Sequence, residues 1–91
     1  MLVVVVYDVP DDKRRLRLSK LLEGYGRRVQ FSVFECFLTL EEMRGLCEKV
    51  RGKVKVEEDN VRFYWISRDA VDRVMTLGSK PPESPPNSFI F

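Results

Sequence analysis

The most restrictive feature of the sequence is a run of branched apolar residues near its start. Residues 2–6 read Leu-Val-Val-Val-Val and lead into Tyr7 and Asp8, which is typical of a central β-strand. Where helices cover only one face of a sheet, its strands alternate apolar and polar residues. This run is apolar on both faces, and so is the segment 63–66. Because the chain has only 91 residues, we expect a second copy of it to cover one face of the sheet.

The first helix is predicted to begin after Pro10, with Asp8 or Asp11 as its N-cap. Gly24 and Gly26 are expected to end it. Its apolar positions follow the spacing i, i+3, i+4, i+7, which places them on one helical face. These positions are Leu18, Leu21, Leu22 and Tyr25.

The middle of the chain completes a β-α-β-β-α-β order of elements. Residues 28–38 predict two strands, or one strand bent by a bulge near Ser32. Thr39 and Glu42 fit the capping box of a second helix, and residues 61–66 predict a further strand. This order is the ferredoxin-like pattern of an α+β fold.

The C-terminal part predicts additions to this fold. Ser67 is expected to cap a short helical turn, and residues 75–77 are expected to form an extra short strand. We therefore expect one domain over residues 1–78 and a proline-rich tail over residues 79–91, which ends in Phe-Ile-Phe. A loose apolar end is unusual, so segment 75–77 or the tail is predicted to add to a sheet edge, that of a partner chain.

Histidine is absent from the sequence, which excludes catalysis by a Ser-His-Asp or Cys-His arrangement. The two cysteines, Cys36 and Cys47, lack CxxC spacing, so a zinc site has too few ligands and core packing is their expected role. An enzyme of this composition depends on carboxylates, a hard metal ion or bound water. Residues 2–7 are too short for a membrane span or a signal sequence. We expect a soluble, cytoplasmic protein with reduced thiols and no membrane partner.

Positive charge is concentrated in residues 13–28. This segment has seven cations and one acid, Glu23, whereas the remainder of the chain has nine cations and thirteen acids. An arginine-rich segment in a chain of net charge +2 is typical of a phosphate-binding surface. A solvated helix face explains the same pattern, so charge alone does not decide between the two.

Asp8 follows the first strand at its carboxyl end, where α/β units place their ligands. Its ordinary role at such a position is that of an N-cap or turn residue. One carboxylate is a poor magnesium site, but a two-fold axis near this strand end would present two copies of Asp8. A divalent cation relieves the repulsion between facing carboxylates, and metal-activated water can then attack a phosphodiester. Tyr7, Phe34 and Trp65 are expected in the core, although an aromatic beside a basic surface can also stack on bases.

Several spaced motifs agree, in order, with one known family. They are the stretches 6–9 (Val-Tyr-Asp-Val), 12–17 (Asp-Lys-Arg-Arg-Leu-Arg), 21–22, 25–26 and 28–36 (Arg-Val-Gln-Phe-Ser-Val-Phe-Glu-Cys). This set closely resembles the Cas-two family of CRISPR-associated endonucleases. The resemblance continues through the strand that ends at Ile66 and through segment 75–78, so it covers most of the chain.

The resemblance implies a homodimer with facing sheets, whose terminal strands add to the partner's sheet. It implies Mg²⁺, or another divalent cation such as Mn²⁺, held by Asp8 of both subunits, with Tyr7 and Asp8 as candidate catalytic residues. It also implies a partnership with the Cas-one integrase. The resemblance and the basic segment together indicate six candidate nucleic-acid-binding residues, which are Arg14, Arg15, Arg17, Arg27, Arg28 and Phe34.

Two functions remain open from the sequence. The first is a metal-dependent endonuclease of CRISPR adaptation that cleaves phosphodiester bonds of RNA or DNA through Asp8. The alternative is a non-catalytic adaptor that binds DNA phosphates and bridges the integrase, with Asp8 as a structural carboxylate.

Overall fold

The computed structural model describes residues 1–83. Within them the elements follow the order β-α-β-β-α-β-α, which confirms the predicted order, including the short helical turn after Ser67. The expected insertion of the apolar tail end into a sheet edge concerns residues outside this range. The elements are β1 (Leu2–Asp8), α1 (Asp12–Glu23), β2 (Arg27–Gln30), β3 (Val33–Phe37), α2 (Leu40–Arg51), β4 (Asn60–Ile66) and α3 (Arg68–Val71).

The four strands of the described residues form one antiparallel sheet in the order β2-β3-β1-β4. The α+β, ferredoxin-like architecture is thereby confirmed. The branched run of β1 lies in the centre, paired with β3 on one side and β4 on the other. Residues 28–38 form two strands joined at Phe31 and Ser32, and the register of this pair shifts between Arg28 and Gln30.

The helix boundaries follow from capping interactions. The carboxylate of Asp11, not that of Asp8, accepts a hydrogen bond from Arg14 N–H at 2.9 Å and caps α1. Thr39 and Glu42 form the expected capping box of α2, and Ser67 caps α3 as predicted. Within the described residues, no helix has both the length and the apolar character that crossing a membrane requires.

Gly26 combines two roles in the connection between α1 and β2. Its N–H donates to the carbonyl of Leu22 at 3.0 Å, which helps to end the helix. It also lies directly against β3: a methyl group at this position would be 2.8 Å from Cys36 Cα, and closer still to Cys36 Sγ and the carbonyl oxygen of Glu35. Gly26 is therefore required for space, whereas Gly24 simply forms the C-cap of α1.

The hydrophobic core lies between the helices and one face of the sheet. Tyr7, Phe34 and Cys36 belong to it, as predicted, whereas Cys47 is half-buried. Trp65 was expected there but is 40% exposed, because β4 is an edge strand and has no neighbour on its outer side. The remaining core residues are Val3, Val5, Val9, Leu18, Leu22, Leu38, Leu46 and Val50.

The opposite face of the sheet, called here the open face, carries the other residues of each strand. Val4 and Val6 are half-buried on it, and Tyr64 opposite Val4 is exposed. Their alternation with the core residues Val3 and Val5 confirms that β1 is apolar on both faces. Coverage of the open face by a second copy stays a prediction.

The extra strand predicted at residues 75–77 is absent from the described chain. Met75 is 93% exposed and Leu77 is fully exposed, and neither residue pairs with another strand. An extended segment is stable as a strand only where a sheet edge receives its backbone hydrogen bonds. The expectation that this segment pairs with a partner's sheet stays a prediction.

Candidate nucleic-acid interface and strand-end carboxylate

Asp8 is the last residue of β1 and is exposed. It lies on the open face in register with Asn60, the first residue of β4. A carboxylate and an amide oxygen are both suitable ligands for Mg²⁺, which also keeps several waters. No group of three or more acidic or cysteine side chains within residues 1–83 is arranged to hold a metal ion. Within the described residues, Asp8 and Asn60 are thus too few to hold a metal ion by themselves at this strand end.

Arg15 folds back onto the loop that follows Asp8. Its Nη1 donates to the carbonyl oxygens of Val9 at 3.0 Å and Pro10 at 3.4 Å, and its Nη2 contacts the carboxylate of Asp12. These hydrogen bonds use N–H groups of Arg15 that could otherwise donate to a phosphate. Arg15 is thus placed to hold the loop after Asp8, and only part of its side chain is exposed.

Arg14 forms a forked ion pair with Asp59, which immediately precedes β4. The distances are 2.8 Å from Nε to Oδ2 and 3.0 Å from Nη2 to Oδ1, and Glu58 lies 3.2 Å from Nη2. Asp59 has no exposed side-chain surface and also accepts a hydrogen bond from Lys55 N–H at 2.8 Å. The Arg14 hydrogen bond holds the pKa of Asp59 below its usual range, and Asp59 in turn raises the pKa of Arg14.

This ion pair bears on one predicted assignment, which stays a prediction. Arg14 was expected to bind nucleic acid, but its guanidinium is committed to two acidic side chains of the α2–β4 loop. Because Asp59 adjoins Asn60, which pairs with Asp8, Arg14 fixes the strand neighbouring the candidate site. Arg14 and Arg15 therefore support the two sides of Asp8, through β4 and through the loop after β1.

Tyr7 and Phe34 lie beneath the surface beside this site. Phe34 has no exposed surface, so it does not offer a face to a nucleic-acid base in this structure, and its role in binding stays a prediction. The two rings stack with centroids 6.4 Å apart. Burial raises the pKa of Tyr7, against the opposing effect of the cationic Arg28 and Arg15. The Tyr7 hydroxyl donates a hydrogen bond to the carbonyl oxygen of Phe31 at 3.4 Å.

Arg27 and Arg28 are adjacent in β2 but point to opposite faces of the sheet, because strand side chains alternate. The guanidinium of Arg28 lies over the rings of Phe34, at 5.2 Å, and Phe31, at 5.9 Å. Its Nη2 is 4.0 Å from the Glu23 carboxylate. Arg27 contacts Glu83 at 3.4 Å on its own side. The predicted arginine surface is thus divided between two faces.

Arg17 has a different environment from the other arginines of α1. It is exposed, as are Lys13 and Lys20, which lie four residues before and three residues after it on the same helical face. Within residues 1–83, none of these three cations forms an ion pair. This outer face of α1 is therefore accessible to phosphates.

Two residues were missed by reasoning from the sequence. Asp59 belongs by its local sequence to a polar turn, although the acidic run 57–59 is a natural partner for a basic helix. Phe31 was predicted within a strand, but it lies in the turn between β2 and β3, where residues are usually polar, and it is 72% exposed. Its exposure depends on the path of the turn, for which the local sequence carries no clear signal.

Comparison with known proteins gives a consistent result. The family model described as CRISPR associated protein Cas2 matches residues 1–74. A relative from Synechocystis sp. named CRISPR-associated endoribonuclease Cas2 3 is 45% identical over 89 residues, which covers 98% of this chain and 97% of the relative.

Two solved structures are also similar to the chain. The crystal structure of Streptococcus pyogenes Cas2 at pH 6.5 has a TM-score of 0.74 and 37% identity, and the match covers 86% of this chain and 100% of that one. A chain of a partial Cas6-RT-Cas1–Cas2 complex has a TM-score of 0.74 and 38% identity, with 92% and 98% covered.

Proposed function

The chain belongs to the family of CRISPR-associated Cas2 proteins, and we propose that it acts in CRISPR adaptation as a metal-dependent endonuclease. Its substrates are the phosphodiester bonds of RNA or DNA, and it acts in the cytoplasm. The names of its relatives, which include endoribonucleases, support a nuclease. Its similarity to a chain from a complex that contains Cas1 supports the integrase as a partner.

The observation that carries this proposal is the position of Asp8 at the end of the open face. The same face carries the apolar residues Val4 and Val6, whose burial favours association with a second copy. Two chains joined through this face about an axis near the end of β1 would bring their Asp8 carboxylates together. The homodimer then completes a metal site of which one chain holds part.

Asp8 of each subunit would hold Mg²⁺ or Mn²⁺, and such an ion supplies Lewis acidity and activates water. The remaining roles belong to residues of this chain. Arg15 holds the loop after Asp8 in place through the carbonyls of Val9 and Pro10. The exposed face of α1 around Arg17 binds the phosphates that flank the scissile bond. Tyr7, whose hydroxyl donates to the carbonyl oxygen of Phe31, supports the end of β1 from the core side.

A second function is favoured because the outer face of α1 is separate from the strand end that carries Asp8. Lys13, Arg17 and Lys20 lie on the outside of α1, and their charge does not depend on Asp8. A protein with this surface alone would bind DNA and bridge the integrase without cleaving anything. In that case Asp8 acts as a structural carboxylate.

Substitution of Asp8→Asn discriminates between the two functions. It removes the charge that a divalent cation requires while it keeps the shape of the side chain. We expect Mg²⁺-dependent cleavage of RNA and DNA oligonucleotides to fall at least about 100-fold. The control is Asp72→Asn, an exposed carboxylate at the end of α3, which should retain full activity.

Spacer capture in cells that contain the integrase is the second measurement. Abolished cleavage with intact capture would make the adaptor the primary function, whereas cleavage that survives Asp8→Asn would exclude Asp8 as the metal ligand. Sedimentation velocity at micromolar concentration tests the dimer directly. A monomer under these conditions would contradict the proposed two-chain site.

A further inference from the structure

Phe31 is an exposed aromatic ring at the turn between β2 and β3. Its relative exposure is 72%, although it sits in a part of the chain that is otherwise firmly held. Exposure of a single apolar residue is common and by itself indicates nothing. The surroundings of Phe31, however, combine a fixed backbone with a neighbouring cation.

The backbone of the turn is fixed by Tyr7 and Arg28. The carbonyl oxygen of Phe31 accepts hydrogen bonds from Arg28 Nη1 at 3.2 Å and from the Tyr7 hydroxyl at 3.4 Å. The main-chain N–H of Tyr7 donates to the carbonyl of Ser32 at 3.1 Å. The turn is thus joined to the central strand at two successive residues. Because the backbone of the turn is already ordered, little backbone entropy is lost when the Phe31 ring binds a ligand.

A cation lies beside the ring. The Arg28 guanidinium lies 5.9 Å from the centre of the Phe31 ring, and more than a third of the Arg28 side chain is exposed. Among the described residues, Glu23 is the one acid paired with Arg28, at the long distance of 4.0 Å. Proteins that bind single-stranded nucleic acids combine such cations with aromatic rings on which bases stack.

We propose that Phe31 is a base-stacking residue, which binds an unpaired base of RNA or single-stranded DNA while Arg28 contacts an adjacent phosphate. This inference rests on the proposed nucleic-acid-binding function and extends it to the form of the substrate. A fully paired duplex keeps its bases stacked on one another, so it offers no base face to Phe31 except at its ends. The ring therefore favours substrates with single-stranded segments.

The test compares the affinity of three variants for two probes by fluorescence anisotropy. The probes are a single-stranded oligonucleotide of mixed sequence and a fully paired duplex whose two ends are closed by polyethylene-glycol linkers, which contain no bases. The Phe31→Ala and Phe31→Leu variants should bind the single strand about 5- to 100-fold more weakly. Phe31→Trp keeps an aromatic face and should bind like the original protein. Binding of the closed duplex should change less than about twofold in all three variants.

Three results would overturn the inference. Unchanged single-strand binding by Phe31→Ala removes any role of the ring, and full binding by Phe31→Leu reduces it to a general apolar contact. A change in self-association by Phe31→Ala, seen in sedimentation, assigns the ring to a protein interface. If the original protein binds neither probe, the proposed nucleic-acid function fails as well, which distinguishes that outcome from the first three.

Discussion

The basic helix α1 carries two sets of cations that look equivalent in the sequence and differ in the structure. Arg14 and Arg15 face the sheet end, where they bond to Asp59 and to the carbonyl oxygens after Asp8. Arg17, with Lys13 and Lys20, faces outward and forms no ion pair within residues 1–83. The first set supports the fold around the candidate site, and the second set is available to phosphates.

The difference arises from the helical rotation of about 100° per residue. Arg17 lies two positions after Arg15, a rotation of about 200°, which places their side chains on different sides of α1. A net charge counted along the sequence adds both sets together and so overstates the phosphate-binding surface. Separate substitutions in the inward set and in the outward set therefore test whether the two sets of cations have different roles.

The largest expected effect concerns the buried partner of Arg14. Replacing Asp59→Asn removes the charge that Arg14 binds and weakens the acceptor that also receives Lys55 N–H. We expect the Tm to fall by roughly 5–15 °C, with the salt dependence of nucleic-acid binding unchanged. Thermal unfolding followed by circular dichroism measures the first quantity.

The matched control is Asp12→Asn, because Asp12 also pairs with an arginine of α1 but is largely exposed. Exposed ion pairs contribute little to stability, so its Tm should stay within about 2 °C of the original protein. An equal fall in Tm in the two variants would show that the burial of Asp59 does not make its ion pair more stabilising than the exposed pair of Asp12.

The second effect concerns the outward set. The double variant Arg17→Gln with Lys20→Gln should weaken nucleic-acid binding roughly tenfold at low salt. The plot of log affinity against log salt should become shallower by about 0.9 for each duplex phosphate that the variant no longer neutralises. Its stability should stay unchanged. Fluorescence anisotropy across a salt series is the measurement.

A charge-matched control comes from Arg44→Gln with Lys53→Gln, two exposed cations outside α1. This control has the same net charge as the double variant, so it separates local binding from the overall field of the protein. An equally shallow salt dependence in the control would indicate that the outer face of α1 is not the binding surface.

A smaller effect is expected for Arg15. The variant Arg15→Gln cannot bridge the carbonyl oxygens of Val9 and Pro10, so the loop after Asp8 becomes less well positioned. We expect the cleavage rate to fall about tenfold while the affinity for nucleic acid and its salt dependence stay the same. Arg15→Lys should restore part of the rate. A shallower salt dependence would move Arg15 into the phosphate-binding set.

The smallest effect is a dependence of stability on pH. The pKa of Asp59 is lowered in the folded chain from its ordinary value of 3.8 by the Arg14 hydrogen bond. A depressed carboxyl pKa stabilises the fold above the ordinary value, and this contribution disappears as the pH falls below it. The Tm difference between the original protein and Asp59→Asn should therefore narrow below pH 3.8. If the Tm difference stays constant down to the lowest pH at which both proteins fold, the ionised Asp59 carboxylate does not stabilise the fold through Arg14.

Much of the fold follows from short-range patterns in the sequence. The branched run of β1, the cap at Thr39 and the aromatic strand β4 each act locally, and all three are recognisable from neighbouring residues alone. The exposed carboxylate of Asp8 at a strand end was also predictable, because Asp8 directly follows the branched apolar run of β1.

The residues that could not be predicted depend on contacts between distant parts of the chain. The pairing of Arg14 with Asp59 joins residues 45 positions apart, and the side of a helix that receives such a partner is fixed only by packing. Trp65 is exposed because of its place at the edge of the sheet, which no local pattern reveals. Segment 75–77 has the composition of a strand but lacks a paired edge in the described chain.

The close approach of Gly26 to β3 has a consequence for the variation that this protein can tolerate. Gly24, Gly45 and Gly52 have room for a methyl group, with the nearest atoms at 3.4 Å or beyond. At Gly26 the backbone and sulfur of β3 fill that space. In a library randomised at these four positions and selected for folding, three should drift towards alanine and one should stay glycine. Larger residues at position 26 are excluded by the close contact with β3 of the same chain. This restriction is independent of any nucleic acid or partner that the protein binds.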